Sequence, residues 1–264
     1  MDTNRTVSDS KRSFYEYHQR PINSIYRRVV EELLVEMHLL SVNVDFRPDP
    51  IYYVGVCESF DKFMEGYDPE ADKTSIFNAL CQAVEAKPED YRQASQELLD
   101  FASKTSGEDL LAWLVNPEAK DGASSVAQQW KESLEGSKFK YSRLFAIGLY
   151  SVLEKSDSEL VKEEDKLIES IKALTEKLSL PVDKLKKDLD LYRSNLNKME
   201  QMLKMLADVL EASKKKQQKQ AEEALAKAEK KKAESEEEKK PETEAPETEA
   251  KEAETSKEDS SSES

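Results

Sequence analysis

Any histidine-dependent base or metal ligand in this 264-residue chain has to be His18 or His38, because there are no others. Neither has the neighbours such work needs. A helical di-iron ligand set places Glu three residues before His, and a zinc protease helix reads H-E-x-x-H. Here the residues three and four before His18 are Tyr15 and Phe14, and those before His38 are Val35 and Leu34. His38, between Met37 and Leu39, reads as a packed or surface imidazole rather than a base. Cys57 and Cys81 lack the paired spacing of a zinc site and read as small buried hydrophobes. Asp68, Glu70 and Asp72 open like a calcium loop. However, Lys73 stands where the turn needs Gly, and Ala79 where a bidentate Glu is required. Six scattered glycines provide no phosphate-cradling loop, and no nucleophile elbow or Walker lysine occurs. No catalytic residue, metal or cofactor is assigned, and the chain reads as a non-enzyme.

One stretch does suggest recognition. In RSFYEYHQRPINSIYRR, Arg12, Arg20, Arg27 and Arg28 alternate with Phe14, Tyr15, Tyr17 and Tyr26, the residue types that hold phosphates and stack bases. The competing reading is an N-terminal arm packed over the following helix, its arginines paired with Glu16, Glu31 and Glu32. A net charge of -15 opposes nucleic-acid binding, which depends on cations displacing counterions. The arm is therefore the expectation, with no nucleic acid as partner. Arg12, Tyr15, Arg20, Arg27 and Arg28 are candidates for a surface that meets a protein partner carrying carboxylates.

The elements that must position these residues read as helices. Few turn-formers and abundant Glu, Lys, Leu and Ala predict an all-α fold. Ile22, Ile25, Val29, Leu33, Met37, Leu40 and Val44 step by three or four, widened by Tyr26, Val30 and Leu34. This predicts the central core helix, closed by the prolines of DFRPDP. Arg27–Glu31 and Arg28–Glu32 are spaced to pair on it. Further helices are expected over 51–67, from 72–75 onward, over 87–106 with Gly107 past its end, over 108–116, and over 138–154. From 167 the apolar spacing becomes heptad-like: Leu167, Ile171, Leu174, Leu178, then Leu185, Leu189, Tyr192, Leu196, Met199, Leu203, Leu206 and Leu210. Pro181 and Asp183 between the two runs predict an antiparallel helical hairpin or coiled-coil extension, in preference to one kinked long helix; the further alternative is that both helices pack on the body. Beyond Ser213 lysine and glutamate dominate without an aromatic residue. Helix can continue over 214–234, with disorder expected from Pro241. The expected organisation is a flexible N-terminus over 1–12, a compact multi-helix body over 13–155, heptad helices over 156–213 and a charged, largely disordered tail over 214–264. The N-terminus has no secretory h-region. The longest mostly apolar run, 144–153, is shorter than the roughly 20 residues of a membrane span.

Long contiguous stretches resemble one family. TVSDSKRSFYEYHQRPINSIYRRVVEELLVEMHLLSVNVDF, DPIYYVGVCESFDKFMEGY, DKTSIFNALCQAV and LPVDKLKKDLDLYRSNLNKME resemble the Thylakoid formation protein family over about residues 6–205. That family is also described as an accessory factor of photosystem II biogenesis. The resemblance implies a mainly helical, non-enzymatic protein, peripheral to the thylakoid on its cytoplasmic side. It implies FtsH-type membrane protease complexes as the partner, with photosystem II assembly intermediates as a further candidate. Because the resembling block begins at Thr6, it implies the cyanobacterial type. An alternative role is a lipid-binding factor in thylakoid organisation and vesicle dynamics, with Lys138, Lys140, Arg143 and Lys214 to Lys216 as its modest basic candidates. Oligomeric state is left open.

Overall fold

The computed structural model describes residues 5–119, 123–136 and 139–237. Among them are eleven helices and no strand: α1 (Val7–Tyr17), α2 (Ser24–Ser41), α3 (Pro50–Phe63), α4 (Ala71–Ala83), α5 (Pro88–Ser103), α6 (Gly107–Val115), α7 (Ser124–Glu135), α8 (Arg143–Ser156), α9 (Glu164–Ser170), α10 (Lys172–Leu178) and α11 (Val182–Glu237). They divide into two compact units, one ending at Met205 and one beginning at Leu206, with α11 contributing to both.

Within the first unit, helix starts follow local capping chemistry. Thr6 and Asp9 form a reciprocal capping box: Asp9 N–H donates to Thr6 Oγ1 at 3.2 Å and Thr6 N–H to Asp9 Oδ2 at 3.0 Å. Two orphan donors are satisfied at once, and this corrects the expectation that residues 7–12 are loose. Asn23, Asp49, Ser106 and Ser142 accept from the N–H groups of Ile25, Tyr52, Asp109 and Phe145. Each such cap is worth about 1 kcal/mol. The Ser106 cap also makes Gly107 the first residue of α6 rather than the stop of α5. Likewise Ser142 delays α8 to Arg143, and residues 137–138 lie outside the described residues. The sequence reading did not include α7, which buries Val126, Ala127 and Trp130. The Trp130 indole donates to the Leu114 carbonyl at 2.9 Å.

The central helix is α3, not α2. Ile51, Tyr52, Val54, Gly55, Val56, Cys57, Ser59 and Phe60 are all buried, as expected for a helix apolar on every side. It crosses α8 backbone to backbone. A methyl group on Gly55 would lie 1.7 Å from the Leu144 carbonyl oxygen, and one on Gly148 1.8 Å from that of Ile51. On one side of α3, Ile51 and Val54 join a core with Leu98, Trp113, Trp130 and Val152. On the other, Tyr52, Val56 and Phe60 join one with Phe14, Tyr26, Leu34 and Leu80. As a result α2 has one buried face, Tyr26, Val30, Leu33, Leu34, Met37 and Leu40, while Ile25 and Val29 are half-exposed and Val44 is outside the helix and exposed. The residues read as widening the stripe are its centre.

The heptad residues serve the body. Leu167, Ile171, Leu174, Leu178, Leu185 and Leu189 are buried in the same core as Trp113 and Val152, so the first stretch of the seam packs inward rather than forming a separate coiled coil. The chain does double back at Pro181. Lys186 reaches Asp165 at 3.2 Å, and the Arg193 guanidinium donates to the Val161 carbonyl at 2.8 Å, so positions ascending on α11 meet positions descending before it. Ser179, in the left-handed region at φ 51°, ends α10, and the Leu180 N–H turns back to the Thr175 carbonyl at 2.8 Å.

In the second unit α11 continues to Glu237, past the Ser213 boundary at which the charged tail was expected to begin. Leu206 and Val209 are exposed there. The segment expected to be disordered from Pro241 lies outside the described residues.

Candidate docking surface

Ser10 and Lys11 tie α1 to α2, and His18 at its end ties it to α4; these contacts organise the arginine–tyrosine stretch. Glu31 on α2 is its hub. Lys11 donates to it at 2.9 Å and the Tyr15 hydroxyl at 3.4 Å. The Lys11 hydrogen bond, with Arg27 adding its field, holds the Glu31 carboxyl below the usual range. Burial and the Glu31 charge push the Tyr15 phenol up. Glu31 thus turns to α1 instead of forming the simple Arg27–Glu31 pair that spacing suggested. Arg28 and Glu32 do pair, at 2.9 Å, in an exposed position where such contacts contribute at most a few tenths of a kcal/mol.

Of the five candidates, Tyr15 bonds Glu31 and Arg27 acts on that carboxylate only through its field, while Arg28 pairs with Glu32. Arg12 pairs within α1 with Asp9 at 2.8 Å. Arg20 reaches Asp72 at 2.7 Å, an ion pair between a largely exposed guanidinium and a carboxylate only 4% exposed. A buried carboxylate needs that partner, so Arg20 is held to the fold.

Beyond Glu31 the outer face of α2 borders an open groove that sequence reading missed. Its walls include Glu36 and Leu39 of α2, Tyr141 and Arg143 near the start of α8, and Lys184, Asp188 and Leu191 of α11. Arg143 places two N–H donors on one oxygen of Glu36, at 2.5 and 3.1 Å. The Tyr141 hydroxyl donates to Asp188 at 2.7 Å, with the Lys184 ammonium 5.2 Å from the Tyr141 ring. Leu39 and Leu191 are 57% and 45% exposed. Alongside lies a cavity of about 400 Å³, sharing Arg28, Glu32 and Arg143 and lined within by Val29, Phe63, Ile147, Met199 and Met202. None of these pairings lies close enough in sequence to be seen as a local pattern; Tyr141 and Asp188 meet only because α8 and α11 do.

The residues that could do chemistry are otherwise engaged. His18 and His38 are buried; Nδ1 of His18 bonds Ser75 Oγ at 2.9 Å and Nδ1 of His38 bonds Ser10 Oγ at 2.8 Å. Although Ser75, His18 and Asp72 are neighbours, Asp72 is taken by Arg20, and His18 is 1% exposed. Cys57 and Cys81 are buried, and burial pushes the Cys57 thiol up to about 12 and that of Cys81 higher still, which leaves them inert. Glu70 is paired with Lys73 at 3.0 Å. Among the described residues no three His, Cys, Asp or Glu side chains are grouped to hold a metal ion, and no helix is long and apolar enough to cross a membrane.

Fold and surface together define an all-α protein with an open, mixed-charge groove that carries exposed apolar side chains. The chain belongs to the Thylakoid formation protein family, whose model matches residues 6–221. It is 53% identical to Protein Thf1 of Nostoc sp. strain PCC 7120 over 85% of this chain and 96% of that protein. It is 52% identical to Protein Thf1 of Nostoc punctiforme over 86% and 96%. A solved structure described as Psb29 at 1.55 Å superposes with a TM-score of 0.68 and 41% identity, covering 81% of this chain and 98% of that one.

Proposed function

We propose that this protein is a non-enzymatic accessory factor of photosystem II biogenesis and repair, peripheral to the thylakoid membrane on the cytoplasmic side. It stabilises FtsH-type protease complexes there, with photosystem II assembly intermediates as further partners. The observation that carries the reading is the likeness to Thf1 proteins across nearly their whole length. The groove on the outer face of α2 suits such a role. Leu39 and Leu191 offer apolar area, and the fixed pairs Arg28–Glu32 and Glu36–Arg143 present both signs of charge to a helix or loop of the partner. Arg27→Glu with Arg28→Glu, both exposed and outside the core, is expected to reduce recovery of the protease from solubilised thylakoids at least tenfold while leaving the fold intact. Undiminished recovery removes this face from the interaction. Normal protease levels in a deletion strain under strong light would remove the role itself. Arg20→Glu is a poor probe, because it strands the buried Asp72 carboxylate.

A lipid surface is the second reading. In the second unit exposed Leu206 and Val209 precede Lys214, Lys215 and Lys216, the composition of a helix that lies on anionic lipid. Of the other basic candidates, Arg143 is engaged by Glu36 and Lys138 lies outside the described residues. Flotation with anionic vesicles at low salt decides this reading; protein left at the bottom of the gradient ends it.

A further inference from the structure

Both histidines of the chain sit at the contact between α1 and the rest of the first unit. Ser10, in the middle of α1, bonds His38 of α2. His18, the residue that caps the end of α1, bonds Ser75 of α4. Both imidazoles are at most 2% exposed. Within α1 itself only Ser10 and Phe14 are buried, so the helix is held by one aromatic side chain, the two Ser–His bonds and a few ion pairs. His18 Nε2 is buried without a hydrogen-bond partner. In the neutral tautomer whose Nδ1–H donates to Ser75 Oγ, this is an idle lone pair. In the imidazolium it becomes a charged N–H with nothing to receive it, at a cost larger than for a neutral group.

We propose that α1 is a pH-released clasp, docked on α2 and α4 while His18 and His38 are neutral and freed when they protonate. The surroundings of the two rings support this. His18 faces Asp72 of α4, which favours the imidazolium, and Arg20, which opposes it. His38 faces Arg5, which opposes, and Asp9, which favours. In both, burial outweighs the carboxylate and the ring is harder to protonate than in water. The Lys11 hydrogen bond holds the Glu31 carboxyl below the usual range, so that contact between α1 and α2 stays in place in mild acid; Arg5 pairs with Glu85 ahead of α1. A histidine depressed in the docked state gives stability that is complete above the free value of 6.5 and is lost as pH falls below it. From pH 7.5 to 5.5 each ring weakens docking by up to about tenfold, and the pair by up to about a hundredfold. Release uncovers the part of the core that Phe14 shares with Tyr26, Phe77 and Leu80. The device is internal to this chain and does not depend on which partner binds.

Hydrogen exchange of the full-length protein tests it, with amides of residues 10–17 corrected for intrinsic rate and referenced to α8. Protection of α1 is expected to fall several-fold between pH 7.5 and 5.5, within the limit of about a hundredfold set by two rings. In the double variant His18→Asn, His38→Asn, whose amides replace Nδ1 without titrating, protection is expected to stay level. Unchanged protection in the wild type, or an equal loss in the variant, overturns the proposal. Should the variant not fold, NMR titration of the wild-type imidazoles decides. Values below 6.5 with α1 amides exchanging in step support the clasp, and either ring titrating at or above 6.5 in the docked state refutes it.

Discussion

Asp49 closes the first turn of α3 from inside the protein. Its carboxylate accepts from the Tyr52 N–H at 2.9 Å, yet burial pushes its pKa up to about 7 against the pull of the Tyr52 and Ile51 amides. The folded carboxyl therefore keeps a proton that the unfolded chain, titrating near 3.8, releases. Stability is expected to fall as pH rises from about 4 to about 7 and to level off above. Asp49→Asn keeps an acceptor for the cap and should lose this slope, whereas Asp49→Ala loses slope and cap together and should be about 1 kcal/mol less stable than Asp49→Asn at either pH. Thermal unfolding at pH 5 and pH 8 checks both, and parallel slopes for wild type and Asn would contradict the assignment. Trp130→Phe fills most of the same volume but leaves the Leu114 carbonyl without its donor. About 1–3 kcal/mol should be lost in urea unfolding. At this scale the sequence showed which residues were unusual but not their partners. Arg20 and Tyr15 both read as surface candidates, and only the fold gave Arg20 to buried Asp72 and Tyr15 to Glu31.

The helices themselves were largely legible, because capping residues and the 3.6 period are local signals. Asp49 and Pro50 of DFRPDP open α3 and Asn116-Pro117 closes α6 as read, whereas α2 already ends at Ser41, ahead of DFRPDP. Which helix lies at the centre was not legible. The apolar stripe of α2 is longer, but α3 and α8 each carry a glycine where their backbones touch, and a lone helical glycine looks like a defect until its neighbour is known. Gly148→Ala should be strongly destabilising, about 3 kcal/mol or more, since the methyl meets a carbonyl and not a flexible side chain. Gly136→Ala, at the end of α7 with its nearest contacts at 3.4 and 3.5 Å, should be close to neutral. Denaturant midpoints of the two variants make the comparison, and similar losses in both would show that the crossing tolerates side chains.

For the whole molecule, burial along α11 decides how much chain the fold requires. Leu185, Leu189 and Tyr192 are at most 2% exposed, Met199 is at 9%, and Leu206 reaches 40%. A chain ending at Ala212 should melt within about 3 °C of the full-length protein. One ending at Asp183 should not fold, because Leu185 and Leu189 fill the core with Trp113 and Val152. Light scattering of the chain ending at Ala212 also reports whether the exposed apolar positions pair between copies; a dimer would mean that they do. By itself the sequence determined the all-α class, most of the helices, the break at Pro181 and the family, because each rests on local chemistry or on long contiguous likeness. Only the tertiary structure decided that the heptad leucines from Leu167 to Leu189 face the body, that α3 and α8 form the centre, and that both histidines meet α1. These depend on contacts between residues far apart in the chain, and no local spacing encodes which apolar face will find which partner.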